Sequence, residues 1–159
     1  NPWGFMVDLY RLAQERRIVP EFELFDLGHV HALRRLIDTC GLPFGGKVHV
    51  DFVTGVPGAM PGTIQALCAG VAMLPPEVTS WSATGIGRAH LPILAAALAA
   101  GGHLRVGMED NTVFARGRPV EHNAELVERA ASLAVLMQRP PLTTGQAREL
   151  LGIEDRRTR

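Results

Sequence analysis

Strand-like and helical runs alternate along this chain, and that alternation narrows its possible folds more than any other feature. A first helical stretch carries Trp3, Met6, Val7, Tyr10 and Ala13 at helical spacing up to the basic pair Arg16 and Arg17, and Pro20 blocks its continuation. The strand-like run FELFDLG follows, then a helix from about His29 to Cys40. The strand KVHVDFVTG precedes a helix from about Thr63 to Met73, and SWSATG precedes one from about Arg88 to Ala100. The run HLRVGMED is then expected as a fourth strand, before a helix from about His122 to Met137. A short last helix spans Thr143 to Leu151, with Thr143 or Thr144 as its cap. Four strands, each followed by a helix across a tight turn, predict parallel βα units. No linker-like or low-complexity segment divides them, so the reading is one domain.

In such units the loops after the strands open on one face, and binding chemistry collects there. Those loops read DLGH, TGVPGAMPGT, TGIGR and EDN, all richer in glycine or charge than a plain connector needs. Gly55, Gly58, Gly62, Gly85 and Gly87 permit close backbone approach and are expected to expose amide N–H groups. The stretch Gly85 to Arg88 runs into a helix N-terminus, which favours an anion, and Arg88 adds a full charge. Two such loops on one face point to a phosphate-bearing ligand. Read as a strand, HLRVGMED puts Arg105, Gly107 and Glu109 on one face and Leu104, Val106 and Met108 on the other, with Asp110 where strand gives way to loop. The polar set then looks into a barrel mouth or metal site. A solvated edge strand with an Arg105–Glu109 ion pair is the simpler alternative.

Charge and cysteine usage exclude several classes. With 159 residues and a formal net charge of zero, nothing electrostatic favours nucleic acid. The most apolar run, Leu91 to Ala100, is half the roughly 20 residues that a membrane-spanning helix needs. Cys40 and Cys68 lack a CxxC partner and read as buried apolar residues in a reducing compartment, which makes cytoplasm the default. The chain opens on Asn1 and Pro2, read as a cap and a first-turn proline, and without a starting Met it looks cut from something longer.

Taken in order, FELFDLGH, FVTGVPGAMPGT, WSATGIGRAHLP, HLRVGMEDN and NAELVERA resemble successive blocks in the C-terminal half of the beta-keto acid cleavage enzymes, whose founding activity is 3-keto-5-aminohexanoate cleavage. The likeness covers nearly the whole chain, with compatible spacing. It implies a (β/α)8 TIM barrel of which this chain holds about the last four βα units and the preceding helix. It also implies a zinc-dependent exchange in which a beta-keto acid and acetyl-CoA give acetoacetate and a new acyl-CoA. By the same resemblance Glu109 matches the carboxylate zinc ligand, and Arg105 and Asp110 match the pair that acts beside the metal in substrate activation and proton transfer. Glu23 matches an acidic residue of the substrate pocket, and Gly55, Gly58, Gly85, Gly87 and Arg88 are assigned to the CoA side. A carboxylate buried in so apolar a strand as that of Glu23 is expected to have a function.

The family's two histidine ligands lie on earlier strands that this chain lacks, and one carboxylate does not hold zinc alone. His29 and His31 start a helix, where residues two apart face different ways, so they are not read as a metal pair. His49, His90, His103 and His122 are scattered singly and are read as core or surface residues. Two other readings stay open: a different metal-dependent aldolase or lyase on a similar barrel, and a non-catalytic half-barrel that acts only by association. A barrel cut after four strands has open edges, so the chain is expected to form homo-oligomers or to pair with a complementing N-terminal half. Whether Val48, Val50 and Phe52 or their alternates face inward is not decided by periodicity.

Overall fold

The computed structural model describes residues 2–154. Helix α1 (Trp3–Glu15) leads into strand β1 (Glu21–Leu24), helix α2 (Leu27–Cys40) and strand β2 (Val48–Thr54). Helix α3 (Ile64–Ala72), strand β3 (Val78–Gly85), a single 3-10 turn at Gly87–Ala89, helix α4 (His90–Ala99) and strand β4 (His103–Leu104) follow. A hairpin of β5 (Val113–Ala115) and β6 (Arg118–Pro119) precedes helices α5 (Asn123–Leu136) and α6 (Thr144–Leu151). The first four strands are parallel and lie in the order β1-β2-β3-β4, so the chain is an α/β fold in which helices cross between neighbouring strands.

Local chemistry places the helix starts. Asp26 accepts a hydrogen bond from Gly28 N at 2.9 Å, and Thr63 Oγ1 accepts one from Ala66 N at 3.3 Å. Thr143 and Gln146 close a reciprocal capping box, so Thr143 is the cap of α6. At the other end of the chain Pro2 occupies the cap position of α1 instead of its first turn, and the expected cap at Asn1 lies outside the described residues. Tyr10 of α1 stacks on Phe22 of β1, and its hydroxyl donates to Gly41 O at 2.7 Å, which fastens α1 to α2 and the sheet edge.

The structure decides the parity of the sheet. Leu24, Val48, Val50, Phe52 and Ala83 point under the helices and pack with Leu33 and Ile37 of α2, Leu67 of α3 and Ile93 of α4. Phe52, Leu67 and Ile93 are essentially inaccessible, and each such side chain contributes about 1.5–3 kcal/mol of hydrophobic stabilisation. The alternates therefore share the opposite face. Register sets Glu21 beside His49, His49 beside Ser80, Glu23 beside Asp51, Asp51 beside Ser82, and Ser82 beside His103. One face is a hydrocarbon core; the other is a polar field.

Three expectations are corrected here and one element is added. The fourth strand ends at Leu104 instead of running to Asp110. Only one further bond, Arg105 N to Ala83 O at 3.4 Å, follows the sheet; Asp110 N and Asn111 N then donate to Gly107 O at 3.2 and 3.1 Å and close a turn. Glycine followed by acidic and amide side chains favours that turn over a strand. The β5–β6 hairpin was not anticipated; Gly117, at φ 75°, reverses the chain between its strands. Helix α4 starts at His90 after the 3-10 turn, not at Arg88. Cys40 is only half-buried and Cys68 is exposed, because α3 turns Leu67 and Gly70 to the sheet and leaves Cys68 on its solvent side.

Candidate active site

The polar face converges on Arg105. Its Nη1 pairs with Glu23 Oε1 and lies 3.4 Å from Asp51 Oδ2; its Nη2 lies 3.5 Å from Glu109 Oε2 and 4.0 Å from Asp110 Oδ2. Four carboxylates thus surround one guanidinium just beyond the end of β4. Burial works against the charge on Arg105, but Glu23 and then Asp51 outweigh it, and the pKa lies above the ordinary arginine value.

These carboxylates differ in environment. Asp51 is wholly buried on the central strand β2; Ser82 Oγ donates to its Oδ1 at 2.6 Å and Thr84 Oγ1 to its Oδ2 at 2.7 Å. Glu23 was expected to be buried in an apolar strand and is instead exposed, because its parity puts it on the open polar face. The Glu109 side chain is 84% exposed and comes from the Gly107–Asp110 turn, so it reaches Arg105 as an i, i+4 neighbour and not by strand alternation. Asp110, half-buried in the same turn, has its pKa raised by burial, against the lowering effect of Arg105, with Glu109, Asp51 and Glu23 raising it further.

Beneath this group lies a second polar layer. His49 Nδ1 is 2.7 Å from Ser80 Oγ, and its Nε2 is 3.3 Å from Ser82 Oγ and 3.7 Å from Glu21 Oε2. Burial first, then His103, lowers the His49 pKa against the opposite pull of Asp51, so the ring is neutral near pH ~7. Glu21 is pushed the other way, up, by burial and Asp51. Sequence reasoning missed Asp51, Ser82 and Thr84, and read His49 as a scattered histidine. The signal was present in the alternation of VHVDF and of SWSAT, whose polar members share one face.

The two glycine loops lie side by side at the same end of the sheet. A Cβ on Gly55 would touch Ala89 Cβ and Ile86 O, both at 3.5 Å, and one on Gly62 would collide with Ala89 Cβ at 2.4 Å. Several amides expected to face solvent are already used. Gly55 N donates to Met60 O at 2.9 Å, Ile86 N to Thr54 O at 2.9 Å and Gly87 N to Asp110 O at 3.0 Å. Gly55 and Gly62 therefore serve close packing of loop on loop, and Gly85 packs the end of β3 against the start of α4; Gly58, at φ 83°, has open space around it, and Arg88 is exposed. A cleft of about 790 Å³ lies between the polar face and the last two helices, lined by Glu21, His49, His103 and Arg105 on one side and by Val127 and Leu150 on the other. None of Gly55, Gly58, Gly85, Gly87 and Arg88 lines it.

Among the described residues, no three His, Cys, Asp or Glu side chains are arranged to hold a metal ion. Glu109 offers one oxygen ligand and already faces the Arg105 cation. These residues alone do not fit a zinc site, which requires at least three protein ligands.

A parallel α/β sheet whose strand ends gather charged side chains, with glycine-rich loops beside them, defines a protein of the enzyme-bearing α/β class. Within that class the chain belongs to the beta-keto acid cleavage enzymes, whose family profile matches residues 1–153. It is 33% identical over 153 residues to the 3-keto-5-aminohexanoate cleavage enzyme of Acetoanaerobium sticklandii, covering 96% of this chain and 55% of that protein. Likeness to the enzyme of the same name from Fusobacterium nucleatum subsp. nucleatum is 36% over 145 residues, 91% of this chain and 51% of that one. The 3-oxoadipate:acetyl-CoA acetyltransferase of Cupriavidus necator is 36% identical over 139 residues, 86% of this chain and 48% of its own length. The chain thus spans about half the length of these curated relatives. Among the described residues no helix is long and apolar enough to cross a membrane.

Proposed function

We propose that this chain carries part of the active site of an enzyme that converts a beta-keto acid and acetyl-CoA to acetoacetate and a new acyl-CoA. The observation that carries the reading is Arg105 with Asp110 and Glu109 at its Nη2 edge, at the strand ends of a member of this family. In the reaction, the bond between the keto carbon and its α-carbon breaks. The acyl fragment goes to the CoA sulfur, and the two-carbon carboxylate fragment takes the acetyl group, so every atom of both substrates is retained.

Asp110 is the proton-transfer group: ionised, a carboxylate whose pKa burial has raised is a stronger base than a solvated one. Arg105 holds the developing negative charge beside it with N–H donors that Nη1 has not used. Glu23 borders the substrate pocket, and Gly55, Gly58, Gly85, Gly87 and Arg88 form the CoA side, with Arg88 as the exposed cation for a phosphate. Zinc dependence belongs to the same proposal, with Glu109 as the one ligand this chain supplies and the others coming from outside the described residues; no step above runs through the metal. The architecture is about the last four βα units of a TIM barrel. Strands β1 and β4 end the sheet with one neighbour each, and Phe5, Leu9, Val135 and Leu136 are exposed, which supports a homo-oligomer or a complementing N-terminal half. Two free cysteines suit a cytoplasmic location.

The test is to supply the chain with a complementing N-terminal half of a family member, zinc, acetyl-CoA and a panel of beta-keto acids, and to measure acetoacetate and acyl-CoA by mass spectrometry. Exchange that Arg105→Ala abolishes supports the reading. Absence of exchange with every acid, or full exchange in Arg105→Ala, refutes it.

A further inference from the structure

We propose that Asp51 is the positioning residue for Arg105: it fixes the guanidinium through Nη1 and thereby directs the Nη2 edge at Glu109 and Asp110. A carboxylate with no solvent exposure in the middle of a central strand is expensive to keep, and its neighbours Val48, Val50 and Val53 show what such a strand ordinarily buries. Its oxygens are held from two directions. Ser82 binds Oδ1 and Thr84 binds Oδ2, both hydroxyls coming from β3, which is hydrogen-bonded to β2 in register. The carboxylate therefore has almost no freedom of its own. The third partner is Arg105 Nη1, on the same oxygen that Thr84 holds.

The other three carboxylates do not supply that anchor. Glu23 pairs with the same Nη1, more closely than Asp51 does, but from an exposed, long side chain that is free to move; Glu109 is exposed on a turn, and Asp110 lies at 4.0 Å, beyond hydrogen-bond reach. The guanidinium is a rigid planar fork, so fixing one nitrogen and its plane fixes where the other points. Asp51 touches no reacting atom in this arrangement; it acts through Arg105.

The role of Arg105 in the reaction rests on the function proposed above, but its orientation can be read without turnover. In the parent protein, NMR of the Arg105 side chain, assigned with Arg105→Lys, should show resolved Nη–Hη signals from slowed rotation of the guanidinium. In Asp51→Asn those signals should collapse to an exchange average. Where exchange activity is measured, kcat should fall about 100-fold, the loss expected of a misplaced catalytic group, with the KM for acetyl-CoA unchanged. If Asp51→Asn does not fold, the double variant Ser82→Ala/Thr84→Val keeps the charge and loosens it, and should speed the rotation in the same direction. Guanidinium signals unchanged in the folded variant, or collapsed signals with an unaltered kcat, overturn the assignment. Failure of the function itself is a different result: full exchange in Arg105→Ala.

Discussion

Gly85→Ala tests how tightly the end of β3 is built against the start of α4. A Cβ at residue 85 would lie 2.6 Å from Ala89 O, 2.7 Å from Ala89 C and 2.9 Å from His90 Cα. All three are backbone atoms, so no side chain can swing away and the β3–α4 junction must open. Overpacking of this kind costs about 1–3 kcal/mol, and a collision with backbone puts the cost near the top of that range. Alanine returns about 0.4–1 kcal/mol by restricting the unfolded chain. The net loss is then about 2 kcal/mol. In a domain of this size each kcal/mol moves Tm by roughly 2–4 °C, so the variant should melt about 4–8 °C below the parent. Calorimetry measures this directly, and urea unfolding followed by tryptophan fluorescence reports on Trp81 of the same strand. Gly4→Ala is the internal control: it lies in α1 with nothing within 4 Å, and should leave Tm unchanged or slightly raised. A Gly85→Ala protein that melts with the parent would refute the argument that this junction requires a missing Cβ.

Acid should destabilise the fold through His49. Its folded pKa lies below the unfolded value of about 6.5, so the stability it contributes above that pH is lost as pH falls toward the folded value. His49→Gln should flatten the dependence of the urea midpoint between about pH 7 and 6, while Glu21 and Asp110, raised by burial, act with the opposite sign. An unaltered slope would assign the titration to His90 and His103, whose pKa values are also lowered. Thr143→Ala removes the capping box of α6 and should cost about 1 kcal/mol, seen as faster amide exchange at Gln146 and Ala147 with β2 unaffected; unchanged protection would show that packing alone holds the helix. In the acyl-exchange assay, Arg88→Ala should raise the KM for acetyl-CoA more than that for the keto acid, and an equal effect on both would make Arg88 structural.

Among the described residues, the six helices and the four parallel strands could be read from the sequence because each has its own period and its own stop signal. Thr63, Thr143, Pro20 and the loop glycines mark element ends by local chemistry. What misled was alternation carried one step too far. HLRVGMED keeps a period of two through residues that close a turn at Gly107, and alternation alone does not say where pairing stops. The cluster was half legible for a different reason: Arg105, Glu109 and Asp110 are close in sequence, so a motif brings them together. Asp51 enters only through lateral register. Its alignment with Glu23 on one side and Ser82 on the other is a property of three strands at once, which no single strand's pattern contains.

The two faces of β2 carry unrelated duties on one backbone. Side chains of one parity hold the core together under the helices, and those of the other parity make the charged surface around Arg105. A one-residue insertion or deletion inside the strand would exchange them, driving His49 and Asp51 under the helices and Val50 and Phe52 into the polar field. Substitution meets no such barrier. Descendants of this sequence can therefore vary the polar set, and with it the ligands they accept, without renegotiating the packing that folds them, provided that the length of the strand is never altered.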